Sequence, residues 1–463
     1  MPDRLRARLL DDWHDPAVLF RALEAQASDV FWLDAGPGAV DGWSFVGVGD
    51  IDALPASLPL AADVAPDDAD DEDAERQGDL PPFRGGWVGW LDYESGAAAA
   101  GAPVAAPGDP RSWLRARRIA AYDHARQRVW LCATGDDLAD WTAEVRAADA
   151  RVARAPVAES AADARTPPSA VAPTPARPLV AQGRHEPAAY ADLIEQCRAL
   201  IRAGVAYQLC LTTRFTVPGI RDAAEAYLRL RAATPAHHGG FIRIGGRALL
   251  SASPEQFLRV EGGVIRTRPI KGTRPRGTTP AEDAALAAEL AASPKERAEN
   301  VMIVDLMRND LSRVSVAGSI SVDRLWAVES YPAVHQLVSS VSGTATPGAT
   351  IGDLLAATFP AGSMTGAPKL SAMTRLHALE GGPRGVYAGC FGYVGDDGEL
   401  DLAMVIRSIL VEPDGTAVVG AGGGITWGSD ARAEVDEVGV KARGPLAALG
   451  AVLPAGWGSD ILN

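Results

Sequence analysis

The runs Tyr207–Val217 (YQLCLTTRFTV), Gly240–Ser253 (GFIRIGGRALLSAS) and Phe257–Ile270 (FLRVEGGVIRTRPI) decide the fold class. All three are strand-like in composition, and they come as a group. Before them, Pro187–Gly204 places Tyr190, Leu193, Ile194, Cys197, Leu200 and Ile201 on one helical face. After them comes a helical block, Ala281–Val314, interrupted at Ser293–Pro294. Three more strand-like runs follow, YAGCFGYVG from Tyr387, LDLAMVIRSILVE from Leu400 and TAVVGAGGG from Thr416, then a helix near Arg432–Arg443. Strands and helices are grouped rather than strictly alternating. That predicts an α+β fold with mainly antiparallel sheets, not a doubly wound parallel one.

Two composition shifts divide the chain. The segment 155–182 is rich in Ala and Pro (APVAESAADARTPPSAVAPTPARP and the residues after it). It cannot hold a continuous helix or a central strand, so it reads as an extended linker. It separates a part spanning 1–154 from a part spanning 183–463. The first part holds eight of the 11 tryptophans, in short turn-bounded runs such as VFWLDAGPG, WSFVGVGD and FRGGWVGWLDYESG. With a hairpin expected around Asp123–Gln127, it reads as β-rich with helices packed on it. The second shift is acidic: Asp63, Asp67, Asp68, Asp70, Asp71, Glu72, Asp73 and Glu75 fall together with no basic residue among them. Charge repulsion makes this a surface loop.

Lys+Arg number 44 and Asp+Glu 59, a net charge of −15, which argues against general affinity for nucleic acid or anionic membrane. Ser330–Gly352 lacks Asp, Glu, Lys and Arg, but its Ser, Thr, Gly and Pro make a poor membrane span. Cys132, Cys197, Cys210 and Cys390 stand far apart with no CxxC pair, so neither a disulfide framework nor a zinc cluster is expected. The N-terminus has no apolar signal core. These features fit a reduced, cytoplasmic protein.

The chemistry concentrates in a few segments. Glu296 and Glu299 are three residues apart, as are Glu434 and Glu437, with Lys441 seven beyond Glu434. On helices each pair shares a face. Two such faces together make an oxygen-rich site for a hard cation, and Mg²⁺ fits because it takes one or two carboxylates and keeps waters. The bland alternatives are that Glu296 completes a capping box with Ser293 and that the other pair is a solvated face. In RTRPIKGTRPRG (Arg266–Gly277), Lys271 sits at a strand end among Arg268, Arg274 and Arg276. Neighbouring cations and loss of water would free its amine as a nucleophile; otherwise the four cations simply bind an anion. The helix start at Thr365–Pro368 and the glycine loop Gly420–Ile425 could each offer backbone N–H groups to carboxylates. Glu255, after Pro254 between two strand-like runs, could be a general acid if buried, and is otherwise structural.

Taken in order, LSASPEQF, RPIKGTRPRG, ERAENVMIVDLMRNDL, YPAVHQLVSSVSG, PAGSMTGAPK, AGGGI and the Glu434/Glu437/Lys441 helix closely resemble the chorismate-utilising enzymes, over roughly Glu186–Leu446. The resemblance implies large antiparallel sheets packed face to face with helices outside. Within the family, VFWLDAG and PIKGT look like the aminodeoxychorismate-forming branch. Anthranilate-forming members resemble this chain but carry alanine at the position of Lys271. Water-using members carry a lysine base where Gln208 stands. Glutamine cannot deprotonate water near neutral pH, so the nucleophile from solution should be ammonia.

The chemistry that the resemblance implies is an amino transfer. Mg²⁺, held by Glu299 and Glu437 with Glu296 and Glu434 near or through water, binds the ring carboxylate of chorismate. Lys271 attacks carbon 2 while Glu255 protonates the departing 4-hydroxyl; ammonia then enters at carbon 4 and expels the lysine. Tyr387, Arg407, Gly424 and Lys441 would hold the substrate carboxylates, and Thr273, His335 and Thr365 would line the ring site. No glutamine-hydrolysing cysteine motif is evident, so the ammonia is implied to come from a glutamine amidotransferase subunit. The 1–154 part is the region where the family often binds tryptophan. Two departures from the family pattern stand out. Asn300 stands where members often have His, and Gly439, Gly444 and Pro445 should weaken the last helix. Two alternatives remain: an anthranilate synthase component I, and a non-catalytic subunit that senses chorismate or tryptophan.

Overall fold

The computed structural model describes residues 5–10, 12–60, 80–106, 108–109, 111–154, 179–331 and 334–458. The acidic stretch Asp67–Glu75, linker residues 155–178 and Pro332–Ala333 lie outside the described residues. The fold is α+β; among the described residues twenty strands form one hydrogen-bonded system whose pairings are all antiparallel. The short pair Leu179–Val180 with Ala451–Val452 is parallel and stands apart. The expected hairpin is present, Trp113–Asp123 running back through Arg128–Ala133.

The two parts on either side of the linker share hydrogen bonds. Val30–Asp34 pairs with His238–Ile244, setting Trp32 opposite Phe241. Gly86–Leu91 pairs with Cys390–Gly395, setting Trp90 opposite Phe391. The division at the linker is therefore one of sequence, while the sheet runs through both parts.

Strand alternation explains how the layers form, because successive side chains face opposite sides of a sheet. In VFWLD, Val30 and Trp32 pack with Leu19, Phe20 and Leu23 of helix Pro16–Glu24. Phe31 and Leu33 face the other way, into a core built from Phe45, Trp90, Trp130, Ile242, Leu249 and Phe391. That second core draws on strands and the loops between them, so it lies between facing sheet surfaces. The helix-bearing cores lie on the outer faces. This is the face-to-face packing expected above.

The helical block breaks where the sequence indicates, into Pro280–Ala292 and Pro294–Ser312, with Ser293 Oγ accepting from the Glu296 N–H at 3.4 Å. The expectation that Gly439, Gly444 and Pro445 weaken the last helix is not met. Helix Ala431–Ala448 runs through all three. Propensity costs of about 1 kcal/mol per Gly and 3 for Pro are offset by burial of Val435, Val438, Ala442 and Leu446. Gly439 is needed there, since a Cβ would lie 2.9 Å from the Trp457 backbone. Among the described residues, no helix is long and apolar enough to cross a membrane.

Candidate active site

A cleft of about 540 Å³ gathers most of the residues singled out by sequence. Lys271 and Thr273 reach it from strand Ile270–Pro275, and Glu255 from the bend before strand Gln256–Glu261. Helix Pro294–Ser312 supplies Glu296 and Glu299; helix Ala431–Ala448 supplies Glu434, Glu437 and Lys441. Tyr387, Arg407 and Gly424 complete the wall. Local geometry serves this convergence. The strand bulges between Lys271 and Thr273, and the bulge residue Gly272 has φ +77°. A Cβ at Gly272 would meet the Glu296 carboxyl at 2.9 Å. The glycine run Gly420–Gly424 forms a flat floor; a Cβ at Gly420 would lie 2.1 Å from the Tyr387 ring.

Two expected residues do not line the cleft. On strand Val334–Thr344, Val334 and Gln336 face it, so alternation turns His335 away. His335 is buried between Asp283 (Nε2 at 2.9 Å) and Ser330 (Nδ1 at 2.8 Å). This is the bland reading of that histidine. Thr365 turns its hydroxyl back on its own turn, at 3.2 Å from the Ala361 carbonyl. The helix start at Thr365–Pro368 is likewise absent from the cleft, because Gly366–Ala367 is tied up as a strand against Gln208–Leu209.

The arginines expected around Lys271 are each paired with a carboxylate. Arg268 pairs with Glu329, Arg274 with Glu289 and, at 3.6 Å, with Glu296, and Arg276 with Asp283. Three of the four cations of that loop therefore already have carboxylate partners. Lys271 and Arg407 form no ion pair among the described residues. Arg407 has φ +53°, a conformation rare for a side-chain-bearing residue, and burial pulls its pKa below the ordinary value. A guanidinium held this way is ready for an anionic ligand.

Burial also shapes the acid. It pushes Glu255 up to about 7, against opposition from the Lys271 ammonium, a hydrogen bond from Ser363 at 3.2 Å, and Lys441. A carboxyl so placed holds a proton near neutral pH and can deliver it. At the carboxylate end, burial raises Glu299, with Glu296 and Glu437 adding to the rise. Burial and Glu437 likewise raise Glu434. Burial acts to raise Glu437 too, but Lys441 at 2.7 Å outweighs it and holds Glu437 low. Among the described residues, no three potential ligands already converge at metal distance. The donor set nevertheless fits a magnesium ion: four carboxylates and no soft ligand, each pair on one helix face, with mutual repulsion that a divalent cation would relieve.

Sequence reasoning missed several lining residues: Cys210, Lys295, Gln336 and Ser363. Ser363 lies inside PAGSMTGAPK, yet a serine in a turn gives no sign of which side chain it will meet. Gln208 is buried beneath Gly424, and neither its Nε2 nor its Oε1 has a hydrogen-bond partner among the described residues. Asn300 is a core residue, accepting from Ser339 at 2.5 Å on the side facing strand Val334–Thr344.

A second cavity of about 550 Å³ lies behind the same strands. Its lining includes Asp34, Trp43, Phe45, Arg268, Phe391 and Tyr393, and it shares Pro254 and Ile270 with the cleft.

Comparison with known proteins identifies the family. The chain is 38% identical to an aminodeoxychorismate synthase of Streptomyces pristinaespiralis, over 96% of its own length and 65% of that protein. It is 37% identical to anthranilate synthase component 1 of Streptomyces coelicolor, over 96% of the chain and 88% of the relative. The chain thus spans slightly less than two thirds of the aminodeoxychorismate synthase. Among solved structures, anthranilate synthase component I from Streptococcus pneumoniae superposes with a TM-score of 0.67 at 27% identity, covering 96% of this chain and 92% of that one. The family model described as chorismate binding enzyme matches residues 54–447, and so the chain belongs to the chorismate binding enzymes.

Proposed function

We propose that the chain is an aminodeoxychorismate synthase component I, converting chorismate and ammonia to 4-amino-4-deoxychorismate for 4-aminobenzoate and folate synthesis. The ammonia comes from a glutamine amidotransferase partner. The observation that carries this reading is that Lys271 and Glu255 face one cleft together with four carboxylates. Arg407, with Tyr387, Lys441 and the Gly424 backbone, grips the substrate carboxylates. The Lys271 nitrogen, after passing its ammonium proton to solvent, bonds to carbon 2 with its lone pair. Glu255 gives its proton to the 4-hydroxyl oxygen, which leaves as water with the C–O electron pair as the ring double bonds shift. Ammonia then bonds to carbon 4, the ring electrons shift back, Lys271 leaves with the electron pair of its bond to carbon 2, and a proton of the new C4 ammonium returns to the Glu255 carboxylate. The covalent step divides one hard displacement into two easier ones. What magnesium supplies, when bound by the Glu296, Glu299, Glu434 and Glu437 carboxylates, is charge neutralisation and orientation of the ring carboxylate.

The four cysteines are free and buried, which suits a reducing cytoplasm. The aromatic wall of the second cavity suits an indole, so we read it as the place for the tryptophan that the family often binds.

The test is product identification with chorismate, Mg²⁺ and ammonium salt. The 4-amino product is expected from the chain alone, and glutamine should serve only when the partner is added. Glutamine use by the pure chain would refute the split-subunit reading. The 37% identity to anthranilate synthase component 1 favours a second reading, amination at carbon 2. Fluorescent anthranilate with release of pyruvate would establish it. Binding of chorismate or tryptophan without turnover would identify a sensing subunit instead.

A further inference from the structure

We infer that Ser363 is the positioning residue for the Glu255 acid: its hydroxyl holds Oε1 and leaves Oε2 as the oxygen that meets the substrate. The inference rests on the reading of Glu255 as general acid. The Ser363 Oγ donates to Glu255 Oε1 at 3.2 Å, while Oε2 has no hydrogen bond among the described residues. The Glu255 backbone is fixed separately, its N–H donating to Ser253 Oγ at 3.3 Å and its carbonyl accepting from the Met404 N–H at 3.0 Å. Ser363 is thus the one described group bonded to the carboxyl itself.

Ser363 is not free to wander. It lies in the 3-10 turn Gly362–Met364. The Met364 carbonyl accepts from Arg384 Nη1 at 2.7 Å, and Arg384 also donates to the Cys210 carbonyl at 2.8 Å. Both atoms belong to residues of the cleft wall. Arg384 is fully buried, held by both Glu380 oxygens and stacked 4.2 Å from the Tyr93 ring centre. So a buried ion pair fixes the turn, the turn fixes the hydroxyl, and the hydroxyl fixes which carboxyl oxygen is free. When Oε2–H passes its proton to the leaving oxygen, Glu255 becomes a carboxylate and the Ser363 bond strengthens. The other charges that act on Glu255 are Lys271 from its strand and Lys441 from the last helix.

The experiment compares Ser363→Ala and Ser363→Thr with wild type, using chorismate, Mg²⁺ and ammonium. For Ser363→Ala, kcat should fall about 10-fold or more, with KM for chorismate changed less than about 2-fold. Loss of a donor that favours the carboxylate should move the alkaline limb of the kcat profile to higher pH. Ser363→Thr, which keeps the hydroxyl, should recover most of kcat. An infrared titration of the Glu255 carboxyl, isolated by subtraction of Glu255→Gln, should show the same upward move in resting Ser363→Ala enzyme. That titration needs no turnover, so it judges the positioning role even if no 4-amino product forms and the functional reading falls. An unmoved Glu255 titration in Ser363→Ala, or a Thr variant as slow as the Ala variant with the wild-type melting temperature, would overturn the inference.

Discussion

The two cavities of this molecule have nearly the same volume and share two wall residues, yet their charges are handled in opposite ways. In the second cavity Asp34 is fully buried and held by Arg231 at 2.6 Å, with Tyr227 at 3.2 Å. Arg268 is paired with Glu329, and Asp401 accepts from Gln256 at 3.1 Å. In the cleft, Lys271 and Arg407 have no ion-pair partner among the described residues, and burial and neighbouring carboxylates raise Glu299 and Glu434, while Glu437 is held by Lys441 at 2.7 Å and Glu296 by Arg274 at 3.6 Å. Satisfied charges cost little and hold a shape; unsatisfied ones cost stability and wait for a ligand. Pro254 and Ile270 form the wall between the two regimes, with Glu255 and Lys271 the next residues along the chain.

If this contrast is right, removing a cleft charge should damage activity, and removing a cavity charge should damage stability. The largest effect should come from Lys271→Ala. Loss of the nucleophile should lower formation of 4-amino product by about 10⁴-fold, with the melting temperature kept or raised. Product analysis and a thermal melt on the same preparation check both halves. Next comes Arg231→Leu, which leaves the Asp34 carboxylate buried without its cation. It should cost about 3–5 kcal/mol in denaturant unfolding. A loss of activity without a loss of stability would erase the distinction.

The sequence showed one side of this contrast far better than the other. Strand grouping and helix faces were legible because they are periodic, and the carboxylate pairs because i, i+3 spacing survives into the structure. The break at Ser293–Pro294 was legible as capping chemistry. What was not legible depended on partners distant in the chain. The partners of Arg268, Arg274 and Arg276 were not legible, because Glu329, Glu289 and Asp283 lie 7 to 61 residues away. His335 sits one residue from cleft-facing Gln336, and only the register of its strand decides that it faces Asp283. The last helix read as weak because propensity is local, whereas the packing of Gly439 on Trp457 is not. The Arg384–Glu380 pair that braces the cleft wall gave no sign at all, since an i, i+4 pair looks the same on a solvated helix.

Glu255 sharpens the contrast through pH. Its folded pKa, about 7, lies above the ordinary 4.5, so the native carboxyl keeps a proton that the unfolded chain releases. Stability from this group is therefore fully present at low pH and is lost as pH rises from about 4.5 through 7. Glu255→Gln should then stabilise the protein at alkaline pH by up to about 3 kcal/mol and have little effect at acid pH, while lowering activity throughout. A gain that is equal at both ends would show that the carboxyl is not held protonated.

The smallest effect expected is also the most specific. Arg407→Lys keeps the positive charge but loses the planar two-pronged donor. If the role of Arg407 is to grip a substrate carboxylate, KM for chorismate should rise by roughly 30-fold, about 2 kcal/mol, with kcat changed far less. If instead its left-handed backbone merely shapes the loop before strand Ser408–Val411, Arg407→Gly should relieve the strain and keep KM. The two substitutions therefore pull apart a binding cation from a conformational one. Steady-state kinetics on the pair decides whether the unpaired charge in the cleft is there for a ligand.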